Sequence, residues 1–216
     1  MNIAMITQQL VSGMGSSLMN FVLTLLFSMP LGLLVAFGRM SKIKPLQAVI
    51  KVFIAILRGT PLMLQLLVVN FAPYYLFRIS LPRWYRFAAI IIGFSINYAA
   101  YFAEIYRAGI ESIPKGQYEA ASVLGYNKNQ TFFRIIFPQM VKRVLPPVTN
   151  EVITLVKDTS LAFVLAYEEM FTVAKQIASA RTSIMPLFVA GVFYFIFNGV
   201  VAFAMERIEK KLSYYH

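Results

Sequence analysis

Few side chains in this sequence can do chemistry, and several of them stand where burial makes them expensive. Glu151, Lys157 and Asp158 interrupt the otherwise apolar stretch from Val144 to Tyr167. A charge at the centre of a membrane helix costs about 2.5–3.5 kcal/mol on insertion scales, so such residues face protein or water and are candidates for function. In a helix Glu151, Thr154 and Asp158 fall at i, i+3 and i+7 and share one face, with Lys157 beside it. A second set, Asn97, Tyr101 and Glu104, has the i, i+4, i+7 relation in another apolar stretch. Covalent and metal chemistry find less material. There is no cysteine, and the single histidine, His216, is the last residue. Thiolate metal sites, a cysteine nucleophile and histidine catalysis are therefore excluded or strongly disfavoured, and no metal site is expected.

The elements that must position these groups are membrane helices. The chain has 216 residues, 59% hydrophobic and only 13% charged, whereas soluble domains are about one-quarter charged. Five spans are expected in one all-α transmembrane domain, residues 1–216: 15–38, 60–77, 87–106, 144–167 and 184–205. Leu46 to Leu57 reads as a helix at the membrane surface or an oblique entry into it. Thr60 is placed to cap the second span with Pro61 in its first turn. Pro30 should kink the first span. Trp84 and Tyr85, in the link after the second, suit an interface.

The sidedness follows from charge. Segments after spans one, three and five carry 14 lysines and arginines, and those on the other side carry 5. Basic residues collect in the cytoplasm, so the N terminus is expected outside and the C terminus and the link 107–143 inside. The net charge of +11 is accounted for in this way, without nucleic acid. Counting from the span ends places Asn97, Tyr98, Lys157, Asp158 and Thr159 near mid-membrane. Glu104 and Glu151 fall nearer the cytoplasm. The candidates for contact with a transported solute are thus Asn97, Tyr98, Tyr101, Glu104, Glu151, Lys157, Asp158 and Thr159. The competing reading is that these charges pair to hold helices together. Within the spans acids outnumber bases three to one, which leans towards a cationic solute.

The link 107–143 is polar and reads as two short helices. In "QYEAASVLG" (Gln117–Gly125), Ala120, Ala121 and Leu124 are expected on one shallow face, and Gly125 suits a left-handed helix end. Asn127 and Gln130 make a capping box for a second helix, which Pro138 should end or bend. An ordered loop without a partner is the plain alternative.

The segment resembles a known family. "EAASVLG", nine residues and "IIFP" match the EAA loop of permease subunits in ATP-binding-cassette importers, through Glu119, Ala120, Ala121, Gly125, Ile135 and Pro138. "RGTPLMLQL" from Arg58, "YFAEIYRAGIESIPKGQYEAA" from Tyr101, "FPQ" at Phe137 and "KDTSL" at Lys157 resemble the polar amino-acid branch. The resemblance implies a permease paired with a second permease subunit, identical or a sister chain. Two cytoplasmic ATPase subunits would lie below and a solute-binding protein outside. Glu119, Ala120, Ala121, Leu124 and Gly125 would couple to the ATPase. The chain lacks a phosphate-binding G-x-x-x-x-G-K-[ST] segment. No cofactor is expected in it, and ATP and Mg would be bound by the partner ATPase. A stand-alone ion-driven carrier or channel and a membrane-embedded enzyme are the rival readings.

Overall fold

The computed structural model describes residues 3–212 and contains no strand among them; His216 lies outside the described residues. The order is α1 (Ile3–Arg39), α2 (Lys44–Gly59), α3 (Leu62–Phe77), α4 (Tyr85–Glu111), α5 (Lys115–Val123), α6 (Lys128–Thr131), α7 (Phe137–Asp158), α8 (Met170–Arg181) and α9 (Met185–Leu212). A π-helical turn, Phe132–Ile136, joins α6 to α7, and a 3₁₀ segment, Thr159–Leu165, follows α7.

Three helices, α1, α4 and α9, are each long and apolar enough to cross a membrane. The pair α2–α3 qualifies together but is bent by 111°. The expected fourth span, 144–167, is not among them. Its α-helix stops at Asp158, after charges at Glu151 and Lys157 have diluted its apolar character. Other expected boundaries shift in both directions: α1 begins before Gly15 and α4 runs past Tyr106 to Glu111, whereas α3 begins only at Leu62 and α9 at Met185.

The most buried helix, α4, forms the centre. Ile90, Phe94, Phe102 and a run of alanines lie in its core faces. Its main neighbour is α1, and small residues set the spacing. A Cβ on Gly32 would lie 2.8 Å from the Phe102 Cβ and 3.1 Å from the Ala99 carbonyl oxygen, so the helices meet backbone to backbone. The Phe21 and Phe197 rings, 5.4 Å apart and edge to face, tie α1 to α9. Leu18, Val22 and Leu26 on α1, with Phe188, Val192 and Phe195 on α9, remain exposed. An apolar surface of this extent suits hydrocarbon rather than water.

Several local expectations change. The N-cap of α3 is Pro61, and Thr60 does not cap it. The Thr60 hydroxyl instead donates back to the Ile56 carbonyl at 2.8 Å, because Thr60 ends α2 in an extended conformation. Pro138 does not end the helix in the link. It sits in the first turn of α7, and the chain stays helical from Lys128 to Asp158 through the π-turn. Proline has no N–H to give the carbonyl four residues back, and a wider turn before it lets the helix continue. The helix α8 was not expected, because its N-cap is Glu169 rather than one of the usual short polar residues.

Candidate functional site

The polar residues of α4 and α7 meet in two places. The first is a pairing near the middle of α4, where the Tyr98 hydroxyl donates to the Asp158 carboxylate at 2.8 Å. Tyr98 is almost wholly buried, and Asp158 is half-buried at the last residue of α7. Immediately beyond, the chain tightens into the 3₁₀ segment, and Thr159 is buried with its hydroxyl on the Val156 carbonyl at 2.8 Å. A charged group at a change of helix type, facing a tyrosine from a neighbouring helix, is an arrangement suited to holding an ion or a zwitterion.

The second is an open cavity of about 530 Å³ between the end of α2, α4 and α7. It is lined by Arg58, Tyr101, Glu104, Arg107, Arg143 and Glu151, among others. Both signs of charge converge there, and its volume is in the range of small-molecule sites. Arg58 lies over the Tyr101 ring, 5.1 Å from its centroid. Glu104 is tied to Arg107 at 2.7 Å and to Arg39 of α1 at 3.6 Å, and Arg107 reaches Glu111 at 2.5 Å. Arg143 donates to the Ser112 carbonyl.

The eight solute-contact candidates therefore separate. Tyr101, Glu104 and Glu151 line the cavity; Tyr98 and Asp158 form the pair. Asn97 is buried away from the cavity, donating to the Leu57 carbonyl at 3.1 Å and the Gln65 side chain at 3.0 Å. Thr159 is closed into its own helix turn, and Lys157 is exposed. Glu104 is already matched by two arginines, which removes it from the acid excess counted along the spans. Arg58, which is not among the solute-contact candidates, is part of the cavity wall.

One functional-looking carboxylate escaped the sequence reading. Glu169 is buried and accepts from Phe171 N (2.7 Å), Thr172 N (2.6 Å), the Thr172 hydroxyl (2.8 Å), the Ser17 hydroxyl (3.3 Å) and the Tyr194 hydroxyl (3.0 Å). It caps α8 and joins it to α1 and α9. Its role is architectural, since every partner is a donor already on the chain.

At the other end, α5 forms where "QYEAASVLG" places it. Gly125 adopts φ 76°, the left-handed turn that glycine takes without strain. The capping box of Asn127 and Gln130 is present in both directions, at 2.9 and 3.0 Å. The expected shared face does not hold. Ala121 is 1% exposed and packs inward, whereas Leu124 is 72% and Val123 87% exposed. The free apolar end of α5 is therefore Val123 and Leu124, with Ala120 and Glu119 also in solvent. Each residue advances the helix by 100°, which sets Ala121 at the inward edge of the arc that it shares with Ala120, and Leu124 follows the last residue of α5 as its C-cap.

Comparison with known proteins gives these features a context. A family model described as "Binding-protein-dependent transport system inner membrane component" matches residues 28–214. The chain is 37% identical over 196 residues to the L-cystine transport system permease protein TcyB of Bacillus subtilis (strain 168), covering 90% of this chain and 82% of that one. It is 34% identical over 205 residues to the putative glutamine transport system permease protein GlnP of Rickettsia felis, covering 94% and 92%. The fold superposes on a crystal structure of an amino acid ABC transporter with histidines at a TM-score of 0.87, with 30% identity and coverage of 97% and 96%. The chain belongs to the family of binding-protein-dependent transport system inner membrane components, in which its similarity is to amino-acid ABC permeases.

Proposed function

We propose that the chain is the permease subunit of an ATP-driven amino-acid importer, forming the pathway with a second permease and drawing its energy from separate ATPase subunits. The observation that carries this reading is α5. It is a helix whose Ala121 packs inward while Val123 and, at its C-cap, Leu124 are bare, with its exit set by Gly125 and a capping box. An ordered helix that leaves its apolar residues in solvent suits a groove on another protein. ATP and Mg belong to that partner, and an extracytoplasmic protein delivers the solute.

The pathway has five spans in this reading, with α7 and its 3₁₀ continuation as the fourth. That segment crosses while buried among α4 and α9, which lets it carry charges a lipid-exposed helix would not. The N terminus is outside and α5 is in the cytoplasm. The solute is a polar amino acid that meets the Tyr98–Asp158 pair and then the cavity at Arg58, Tyr101 and Glu151. With Glu104 neutralised, Asp158 and Glu151 are the acids that favour a cationic side chain.

Two measurements test the reading. A cysteine at Asn127 is labelled only from the cytoplasmic side and one at Ser80 only from outside; reversed labelling removes the topology. Gly125→Val places a branched side chain at a left-handed turn, a strain of about 1 kcal/mol or more. It lowers association with the ATPase subunits while the chain still inserts. A normally inserted variant that binds its ATPase and transports like the parent would remove α5 from the coupling role.

A further inference from the structure

The sharp elbow between α2 and α3 has a chemical consequence at the cavity. The last four carbonyls of a helix have no partner within it and must find one in a side chain or in water. Here Pro61 follows without an N–H. Two carbonyls of the final turn of α2 are met by side chains: Ile56 by the Thr60 hydroxyl at 2.8 Å, and Leu57 by the Gln65 amide at 2.8 Å and the Asn97 amide at 3.1 Å. The Gln65 amide nitrogen also reaches the Thr60 carbonyl (3.1 Å) and hydroxyl (2.9 Å), and its oxygen accepts from Asn97 at 3.0 Å. The orientation is determined by its partners, because the reversed amide would set an oxygen against the carbonyls of Leu57 and Thr60. Next to Gln65, Leu66 is fully buried against Gly93, where a Cβ would lie 2.8 Å from the Leu66 Cδ2. The elbow is thus clamped to α4 by both polar and apolar contacts.

We infer that Gln65, acting with Asn97, is a positioning residue: it holds the α2–α3 elbow against α4 and so sets Arg58 over Tyr101 at the wall of the cavity. Arg58 lies between the two carbonyl-bearing residues that Gln65 grips, Leu57 and Thr60. With that grip in place, the direction in which residue 58 leaves the backbone is fixed relative to α4, which carries Tyr101. Neither amide touches the cavity, so their effect on a passing solute runs through Arg58. The importance of this for transport rests on the proposed reading of the cavity, whereas the positioning itself does not.

The chain has no cysteine of its own, which makes the test direct. An Arg58→Cys, Tyr101→Cys pair is introduced into the full permease, assembled with its partners, and crosslinked with a short bifunctional thiol reagent. Adding Gln65→Met, which keeps length but removes every polar contact, is expected to cut crosslinking several-fold, and Asn97→Leu to do the same. Unchanged crosslinking in both variants overturns the positioning role. In the cysteine-free chain, Gln65→Met is expected to raise the transport KM about tenfold, the loss of one to two net hydrogen bonds, with ATPase association unchanged. That rise should disappear in an Arg58→Met background, where a merely structural role would leave it in place. If crosslinking falls but Arg58→Met alone leaves transport unchanged, the positioning stands and the cavity reading fails. Should Gln65→Met not accumulate in the membrane, Gln65→Glu is used. It retains the bond from Asn97 but sets a carboxylate oxygen against two carbonyls, and the same loss of crosslinking is expected.

Discussion

Around the glycine turn after α5 the organising contacts are short in sequence. Asn127 and Gln130 cap each other across three residues, and Gly125 N donates to Ser122. Around the break after Asp158 they come from far along the chain. Tyr98 reaches Asp158 across 60 residues, and Ser17 reaches Glu169 across 152. The first region leaves apolar side chains in solvent, and the second withdraws polar ones from it. A segment built from local contacts can keep its shape while its outer face engages another protein. A segment built from long-range contacts changes shape when neighbouring helices move. In the proposed reading, the first region receives a force from the ATPase and the second responds to it.

The strongest expected break in this contrast is Leu124→Asp. It puts a charge where the proposed partner offers an apolar groove, and an unpaired buried charge is costly enough to abolish docking. The ATPase subunits should no longer co-purify, yet the permease should melt in detergent at the parent temperature. Co-purification at parental levels would show that the bare end of α5 is not an interface.

Next in size is Glu169→Ala. Five donor contacts lose their acceptor at once, and the join between α1, α8 and α9 loses about 3 kcal/mol. This should appear as a lowered melting temperature of the purified permease, with ATPase binding by the surviving fraction unaltered. A parental melt would mean that the carboxylate is not what holds α8 in place.

Asp158→Asn is a smaller and more specific change. It keeps size and removes charge, so solute affinity in the detergent-solubilised complex lacking the external protein should fall about tenfold, the worth of one charge-assisted bond. Affinity equal to the parent would take Asp158 out of the pathway and leave it as a helix tie. The least effect is expected of Tyr98→Phe, which removes one donor and keeps the ring. About 1 kcal/mol of stability should be lost, measurable by thermal melting, with solute affinity changed less than in Asp158→Asn. An equal or larger loss of affinity would make the tyrosine, rather than the acid, the principal contact.

What could be read without coordinates follows the range of the interactions. Composition and uncharged runs reveal the membrane helices, because crossing hydrocarbon is a requirement each segment meets alone. The turn at Gly125 and the capping box were legible for the same reason: a left-handed residue and a cap depend on neighbours within one helical turn. The family motifs were legible as ordered patterns. By contrast, Glu169 gave no sign of burial, since its partners lie on α1, α8 and α9 and only folding brings them together.

Asn97 shows the limit most clearly. Its spacing with Tyr101 and Glu104 put all three on one helix face, which is correct as geometry. Whether that face meets a cavity or a neighbouring elbow depends on where α2 and α3 bend. The bend in turn depends on Pro61 lacking a donor and on Gln65 supplying one from the next helix. In the same way Ala120 and Ala121 were rightly placed in one helix, with Leu124 at its C-cap, but which side is bare was decided by the packing around it. The sequence by itself determined the all-helical, apolar character of the chain, the glycine turn and the family to which it belongs. Only the tertiary structure decided which of the intramembrane polar groups line a space and which are consumed in holding helices together, because a side chain's partners across helices are set by backbone positions that no local pattern encodes.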